Sequence, residues 1–307
     1  MPFFKHKDDA TKQAEADLQA REQKDLSLLS QGQLPSRAQE RLAKQEQAGT
    51  WSSDLSVDEL LAIRSSGFEP VGQVMGASVY HLGWRQRCNG GNQYMTTYTH
   101  AIYSARQLAL SRMAQEADGL GGHGVVGVRF SLRPLGDPGE SRTIEFTALG
   151  TAIRCKSSAP LPRPFTSSVS GQEFAKLLAA GYVPMSLVIA VSALLIHTGW
   201  AAGRQMGWFS GNQEVDLYTQ AVTAARHQAM NDLRQHLDEV GADGAVGSTV
   251  GLSVHPRECT WQEHKEDHLV EFLAFGTAVR RFADVPAGHP TMAIRLDEQP
   301  ATTVSME

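Results

Sequence analysis

The chain has 307 residues, of which 41% are hydrophobic and 20% charged, and it carries a formal net charge of −5. That length and apolar share suffice for two cores of about 100 residues each, while 28 basic against 33 acidic side chains leave no footprint for nucleic acid. Three cysteines, Cys88, Cys155 and Cys259, are too few and too irregularly spaced for a disulfide framework and fit a reducing, cytoplasmic compartment; the opening Met1-Pro-Phe-Phe-Lys5 lacks the apolar stretch of a secretory signal.

Residues 1–55 read as a charged arm. The first 50 hold eight basic side chains, eight acidic ones and eight glutamines, with no aromatic after Phe4, so they bury little surface alone. Ala14 to Leu29 and Ser36 to Gln47 have helix-forming composition, and Leu34-Pro35-Ser36 followed by Gln39 is a helix start. A loose helical hairpin, in part disordered, is expected.

Residues 56 to 280 then contain one module written twice. Ser56-Val57-Asp58-Glu59 and Ser170-Gly171-Gln172-Glu173 open the copies at an offset of 114; Gly91-Asn92-Gln93 and Gly211-Asn212-Gln213, Tyr98 and Tyr218, Ala105-Arg106 and Ala225-Arg226 follow at 120. Glu145-Phe-Thr-Ala-Leu-Gly-Thr-Ala-Ile-Arg154 and Glu271-Phe-Leu-Ala-Phe-Gly-Thr-Ala-Val-Arg280 close them. The division is 56–155 and 170–281, with a Pro/Ser linker over 156–169 and an irregular tail over 282–307.

Within each copy, the serine and glutamate three residues apart form a capping box, and Gly67 or Gly181 suits the left-handed position that ends the helix. A strand region follows, running to His81-Leu-Gly-Trp84 and His197-Thr-Gly-Trp200. The spacing predicts a long helix over about 97–118 and 217–238, with inward stripes Tyr98, Ile102, Ala105, Ala109, Met113 and Tyr218, Val222, Ala225, Ala229, Leu233. Two strands complete the unit: Val126, Val128, Phe130, Leu132 and Val246, Ser248, Val250, Leu252 alternate along the first, Ile144, Phe146, Ala148 and Val270, Phe272, Ala274 along the second. Ser186-Leu-Val-Ile-Ala-Val-Ser-Ala-Leu-Leu-Ile196 is about half the roughly 20 residues of a membrane span, and its counterpart Val71 to Tyr80 is too polar for one, so it reads as a buried strand. The fold class is α+β: two tandem two-layer α/β sandwich repeats with mostly antiparallel sheets, behind a helical N-terminal arm.

These residues in this order resemble the YbjQ-like, or UPF0145, family of heavy-metal-binding domains. The resemblance rests on Tyr98, Ala105-Arg106, Leu120-Gly121-Gly-His-Gly-Val-Val-Gly127 and Gly150-Thr-Ala-Ile153, and on Tyr218, Ala225-Arg226, Val240-Gly241-Ala-Asp-Gly-Ala-Val-Gly247 and Gly276-Thr-Ala-Val279. It covers about two thirds of the chain and implies a small α+β unit that joins a ring, typically pentameric, through strand contacts between subunits. Two departures stand out: the family's Gly-Gly-Arg turn is Gly-Asn-Gln here, and Glu145 and Glu271 occupy a strand position more often apolar.

Candidate chemistry is sparse. Arg106 with Glu145, and Arg226 with Glu271, read as ion pairs tying helix to sheet inside each copy, with a bridge between subunits or a site for a small acidic ligand as the competing readings. The one cluster with ligand chemistry is His255, Cys259, His264 and His268, in a hairpin six residues longer than its counterpart, whose imidazoles and thiolate suit zinc or another heavy metal; a polar hairpin would look the same. No nucleophile elbow, Walker loop or His-Glu-x-x-His pattern is present, so no catalytic residue is assigned. The function expected is a non-enzymatic, self-assembling homo-oligomer, a pentamer by resemblance, acting as a scaffold or small-ligand binder. A heavy-metal-binding or metal-responsive protein is the alternative, and an enzyme with a site between subunits the second. The proline-stiffened linker further suggests two stacked rings, one of first repeats and one of second.

Overall fold

The computed structural model describes residues 3–81, 89–135, 143–156, 161–197, 214–259 and 266–285. The charged N-terminus folds as a hairpin of α1 (Phe3–Ser30) and α2 (Ser36–Ala48). Asp25 pins its turn by accepting from the Ser36 amide at 2.7 Å and hydroxyl at 2.5 Å, which holds its carboxyl below the usual range. The hairpin does not float: Leu34 and Leu42 are buried in the core of the first repeat, and Arg41 pairs with Glu116 at 2.6 Å.

The first repeat supplies α3 (Val57–Ser65), β1 (Phe68–His81), β2 (Gln93–Tyr94), α4 (Thr96–Gly119), β3 (Gly124–Leu135) and β4 (Thr143–Cys155). The linker gives β5 (Phe165–Thr166), and the second repeat α5 (Gly171–Ala179), β6 (Tyr182–Ile196), α6 (Asp216–Glu239), β7 (Gly244–Glu258) and β8 (Glu266–Arg281). Both capping boxes form: Ser56 accepts from the Glu59 amide and Ser170 from that of Glu173, while each glutamate accepts the serine amide. Gly67 and Gly181 end those helices at φ of 85° and 82°, a left-handed backbone that costs glycine little.

The strands form two four-stranded sheets, β1-β4-β3-β5 and β2-β6-β8-β7, antiparallel except where β5 runs parallel to β3. Register shifts recur at matching places, between Pro70 and Gly72 and between Pro184 and Ser186, and again between Val126 and Arg129 and between Val246 and Thr249. The duplication therefore extends to the bulges. Each long helix lies on its own sheet through small residues, Ala105 and Ala109 in α4 and Ala225 and Ala229 in α6, all fully buried.

The sheets are not each built from one repeat. β2 belongs to the first repeat by sequence yet pairs with β6, and β5 precedes the second repeat yet pairs with β3. The linker thus does not cross between stacked layers as its prolines suggest. Its amides and carbonyls satisfy the β3 edge instead: Phe165 N to His123 O at 3.1 Å, Ser167 N to Val125 O at 2.8 Å, Gly127 N to Val169 O at 2.9 Å and Val128 N to Ser167 O at 2.9 Å. The two repeats sit side by side, the helix of the first against the outer face of the second sheet.

This arrangement explains the apolar run Ser186 to Ile196. Val188 and Ala190 face α6, while Leu187, Ile189 and Val191 join the cluster around α4, so β6 is buried on both faces from Leu187 onward. Its counterpart β1 is covered on one face only: Val74 is fully buried whereas Met75 and Val79 are 48% and 61% exposed. No helix among the described residues is long and apolar enough to cross a membrane. One expected core contribution is absent, because Val250 and Leu252 of β7 are 57% and 50% exposed, with no described element packed over them.

Candidate functional site

The junction between repeats is built from paired backbone first. Gln93 and Tyr94 pair antiparallel with Leu195 and Leu194, and the Met95 amide donates to Ala193 O at 2.8 Å, which carries the start of α4 onto the second sheet. One turn into α4, Tyr98 donates its hydroxyl to Glu271 Oε2 on β8 at 3.1 Å. Burial raises the Tyr98 hydroxyl above its ordinary range, and the Glu271 charge adds to that. Arg106 is buried with its guanidinium 5.3 Å from the Phe146 ring centre; burial lowers its pKa, while Glu271 works in the opposite direction. The carboxylate that acts on Arg106 thus comes from the other repeat. Arg226, its counterpart, is exposed. Neither Arg106 with Glu145 nor Arg226 with Glu271 forms an ion pair among the described residues; Glu271 acts on Arg106 across the two repeats of the one chain instead.

Aromatic packing closes the junction. Phe130 of β3 meets Phe275 of β8 edge to face at 5.9 Å, and Phe165 stacks on Phe174 at 5.7 Å while lying over Gly124, where any Cβ would overlap its ring. A cleft of about 360 Å³ opens beside it, lined by Tyr103, Leu110, Arg163, Met185, His236 and Glu239 among others. His236 stacks on Tyr103 at 5.3 Å there.

A second feature is a buried donor cluster at the far end of β6. His197 Nδ1 lies 2.8 Å from Asp267 Oδ1 and 3.6 Å from Cys259 Sγ, and one ligand atom from each of the three lies within 4.8 Å of the others. Asp267 is fully buried, and its Oδ2 has no hydrogen-bond partner among the described residues, a costly state for a carboxylate oxygen. Nitrogen, sulfur and oxygen donors in this mix suit zinc or a similar borderline metal, which would complete Asp267 and polarise a further ligand. The residues fit such an ion.

Of the four candidate ligands read from the sequence, only Cys259 stands here. His255 is exposed on β7, and His268, next to Asp267 and so on the opposite face of β8, has its Nδ1 2.8 Å from the Tyr218 hydroxyl. His264 lies outside the described residues. His197 and Asp267 escape linear reading because the pairing of β6 with β8, Ile196 opposite His268, brings them together. The recurrence of His81 and His197 before Gly-Trp reads from sequence as strand-end packing, and it is the signal that could have found His197.

Comparison with known proteins agrees with this architecture. The family model described as "Putative heavy-metal-binding" (YbjQ_1) matches residues 86–156. A UPF0145 protein of Halorubrum lacusprofundi is 41% identical over 59 residues, 19% of this chain and 53% of that protein, and one of Acinetobacter baylyi is 39% identical over 72 residues, 23% and 63% respectively. The first repeat therefore carries a YbjQ-like match, and the second repeats its α+β fold strand for strand. Over most of its length, the chain is 36% identical, across 267 residues, to the encapsulin nanocompartment protein Rv1762c of Mycobacterium tuberculosis, covering 85% of this chain and 96% of that one. The chain belongs to the family of that protein.

Proposed function

We propose that this chain is a non-enzymatic building block that assembles head to tail with copies of itself into a closed cytoplasmic ring, serving as a scaffold or small-ligand binder. The observation that carries this reading is the unequal cover of two equivalent surfaces. The outer face of β6 is buried by α4, and the same face of β1, with Met75 48% and Val79 61% exposed, carries no helix among the described residues. The chain already contains one copy of the interface and presents both halves of a second. The relative named as an encapsulin nanocompartment protein supports assembly of this kind. Because each chain lays its two repeats side by side, a single-layer ring holds an even number of repeats, so the five-unit ring implied by resemblance does not close in one layer and the number of chains is set by the measured mass. Native mass spectrometry tests this: a discrete multiple of 33.4 kDa supports it, and a monomer at micromolar concentration overturns it.

A second reading is favoured by the buried cluster alone: His197, Cys259 and Asp267 hold zinc or another heavy metal, in keeping with the description of the family. Elemental analysis of protein purified without chelator tests it separately from assembly.

A further inference from the structure

The β3 edge is capped inside the chain, and among the described residues no strand pairs with the equivalent β7 edge. In the first repeat, the segment Phe165 to Val169, which leads into α5, adds to β3 with Phe165 over Gly124 and in register with it. The second repeat keeps the receiving half of that contact. Gly244 stands where Gly124 stands, at the 120-residue offset, and a Cβ there would meet nothing within 4 Å. A glycine under an aromatic ring has a steric reason to be glycine; Gly244 has none among the described residues.

The inserting half is present as well. Shifted by 114, Phe165 becomes Trp51 and Val169 becomes Leu55, in the segment that leads into α3. Trp51 is 44% exposed. The segment is already held in shape on its own repeat. Asp54 accepts from the Thr151 hydroxyl at 2.7 Å and pairs with Arg129, in the place where the Ser168 amide donates to Thr277 Oγ1 at 2.9 Å. Its ordering cost is thus met before any partner arrives.

We infer that residues 51–55 of a second copy add to β7 as a parallel strand, with the Trp51 indole seated on Gly244 and Ser52 opposite Ala245. This deepens the self-assembly reading and rests on it, because it names the contact by which one chain meets the next. Strand addition supplies backbone hydrogen bonds along an edge that is otherwise open, and the indole supplies the apolar anchor that central interface positions favour. The occupant is a second copy of this chain because the same chain shows the same contact once already, made by an equivalent segment on an equivalent edge.

The test uses the full chain. Gly244→Leu fills the cradle without stressing the fold, since Gly244 has open space and no left-handed φ. Together with Trp51→Ala it should weaken assembly at least about tenfold by sedimentation velocity, with unchanged circular dichroism. In parallel, Ser52→Cys combined with Ala245→Cys should give interchain disulfides under mild oxidation, and neither single variant should. Wild-type oligomers alongside no crosslink and undiminished assembly in Gly244→Leu and Trp51→Ala would overturn this contact and leave self-assembly standing. A wild-type chain that stays monomeric would overturn both.

Discussion

Tyr98 donates to Glu271 at 3.1 Å across 173 residues of sequence, and that bond joins the helix of one repeat to the sheet of the other. It is a charge-assisted bond in a largely buried setting, the kind whose loss costs more than an average hydrogen bond. Tyr98→Phe should therefore destabilise the chain by about 1.5–3 kcal/mol in urea unfolding. The matching Tyr218→Phe removes a bond to His268 at a more open position and should cost less.

The same bond sets an alkaline limit. With the Tyr98 pKa raised in the folded chain by burial and by Glu271, the folded state holds its proton more tightly than the unfolded state does. The contribution is complete below the ordinary tyrosine value of 10.0 and is lost as pH rises from there toward the folded value. Melting temperature should fall above about pH 10, and Tyr98→Phe should flatten part of that decline. Identical slopes in the two proteins would remove Tyr98 from the account.

Much of the fold is legible in the sequence because its determinants are local. Ser56 and Glu59 start a helix whatever surrounds them, and the alanines of α4 and α6 state how closely a sheet approaches. β2 and β5 are not legible: two-residue strands have no periodicity, and their partners are set by which edges lie nearby after the repeats dock. The apolar run in β6 did carry the information that both its faces are covered, whereas the alternation in β1 marks an open face. The metal candidates divide in the same way. Cys259 stands near histidines in sequence, while His197 and Asp267 meet through strand register 70 residues apart.

Asp54 gives an acid limit. Burial raises its pKa, but the bonds from Thr151 and Arg129 outweigh that and leave it below the ordinary 3.8. A depressed carboxyl contributes stability that is present above its unfolded value and lost as pH falls through the folded one. Below about pH 4 the segment from Trp51 to Leu55 should loosen. Asp54→Asn should show that loosening at neutral pH, read as faster amide exchange at residues 51–55, with the second repeat unaffected.

Ile189 and Met75 occupy equivalent positions with opposite surroundings, 2% and 48% exposed. Ile189→Ser should cost several kcal/mol, about 3 or more, because it opens a cavity between the repeats and buries a hydroxyl there. Met75→Ser should leave chain stability within about 0.5 kcal/mol and act on association alone. Equal effects on unfolding of the two variants would contradict the placement of α4 on the outer face of β6.

Zinc, where bound, should report on His197, Cys259 and Asp267 together. Asp267 Oδ2, which has no hydrogen-bond partner among the described residues, would gain one from a bound ion, so Asp267→Asn and Cys259→Ser should each weaken zinc uptake by at least about tenfold in calorimetry. His268→Ala should leave uptake intact, because that imidazole faces Tyr218 on the other side of β8. His264→Ala reads out whether the hairpin lends a fourth ligand. Binding to the folded chain alone would also raise its stability by about 2.7 kcal/mol at a hundredfold excess over Kd. Wild-type protein that takes up no zinc and melts at the same temperature with and without it would reduce the cluster to a hydrogen-bonded His–Asp pair beside a buried thiol.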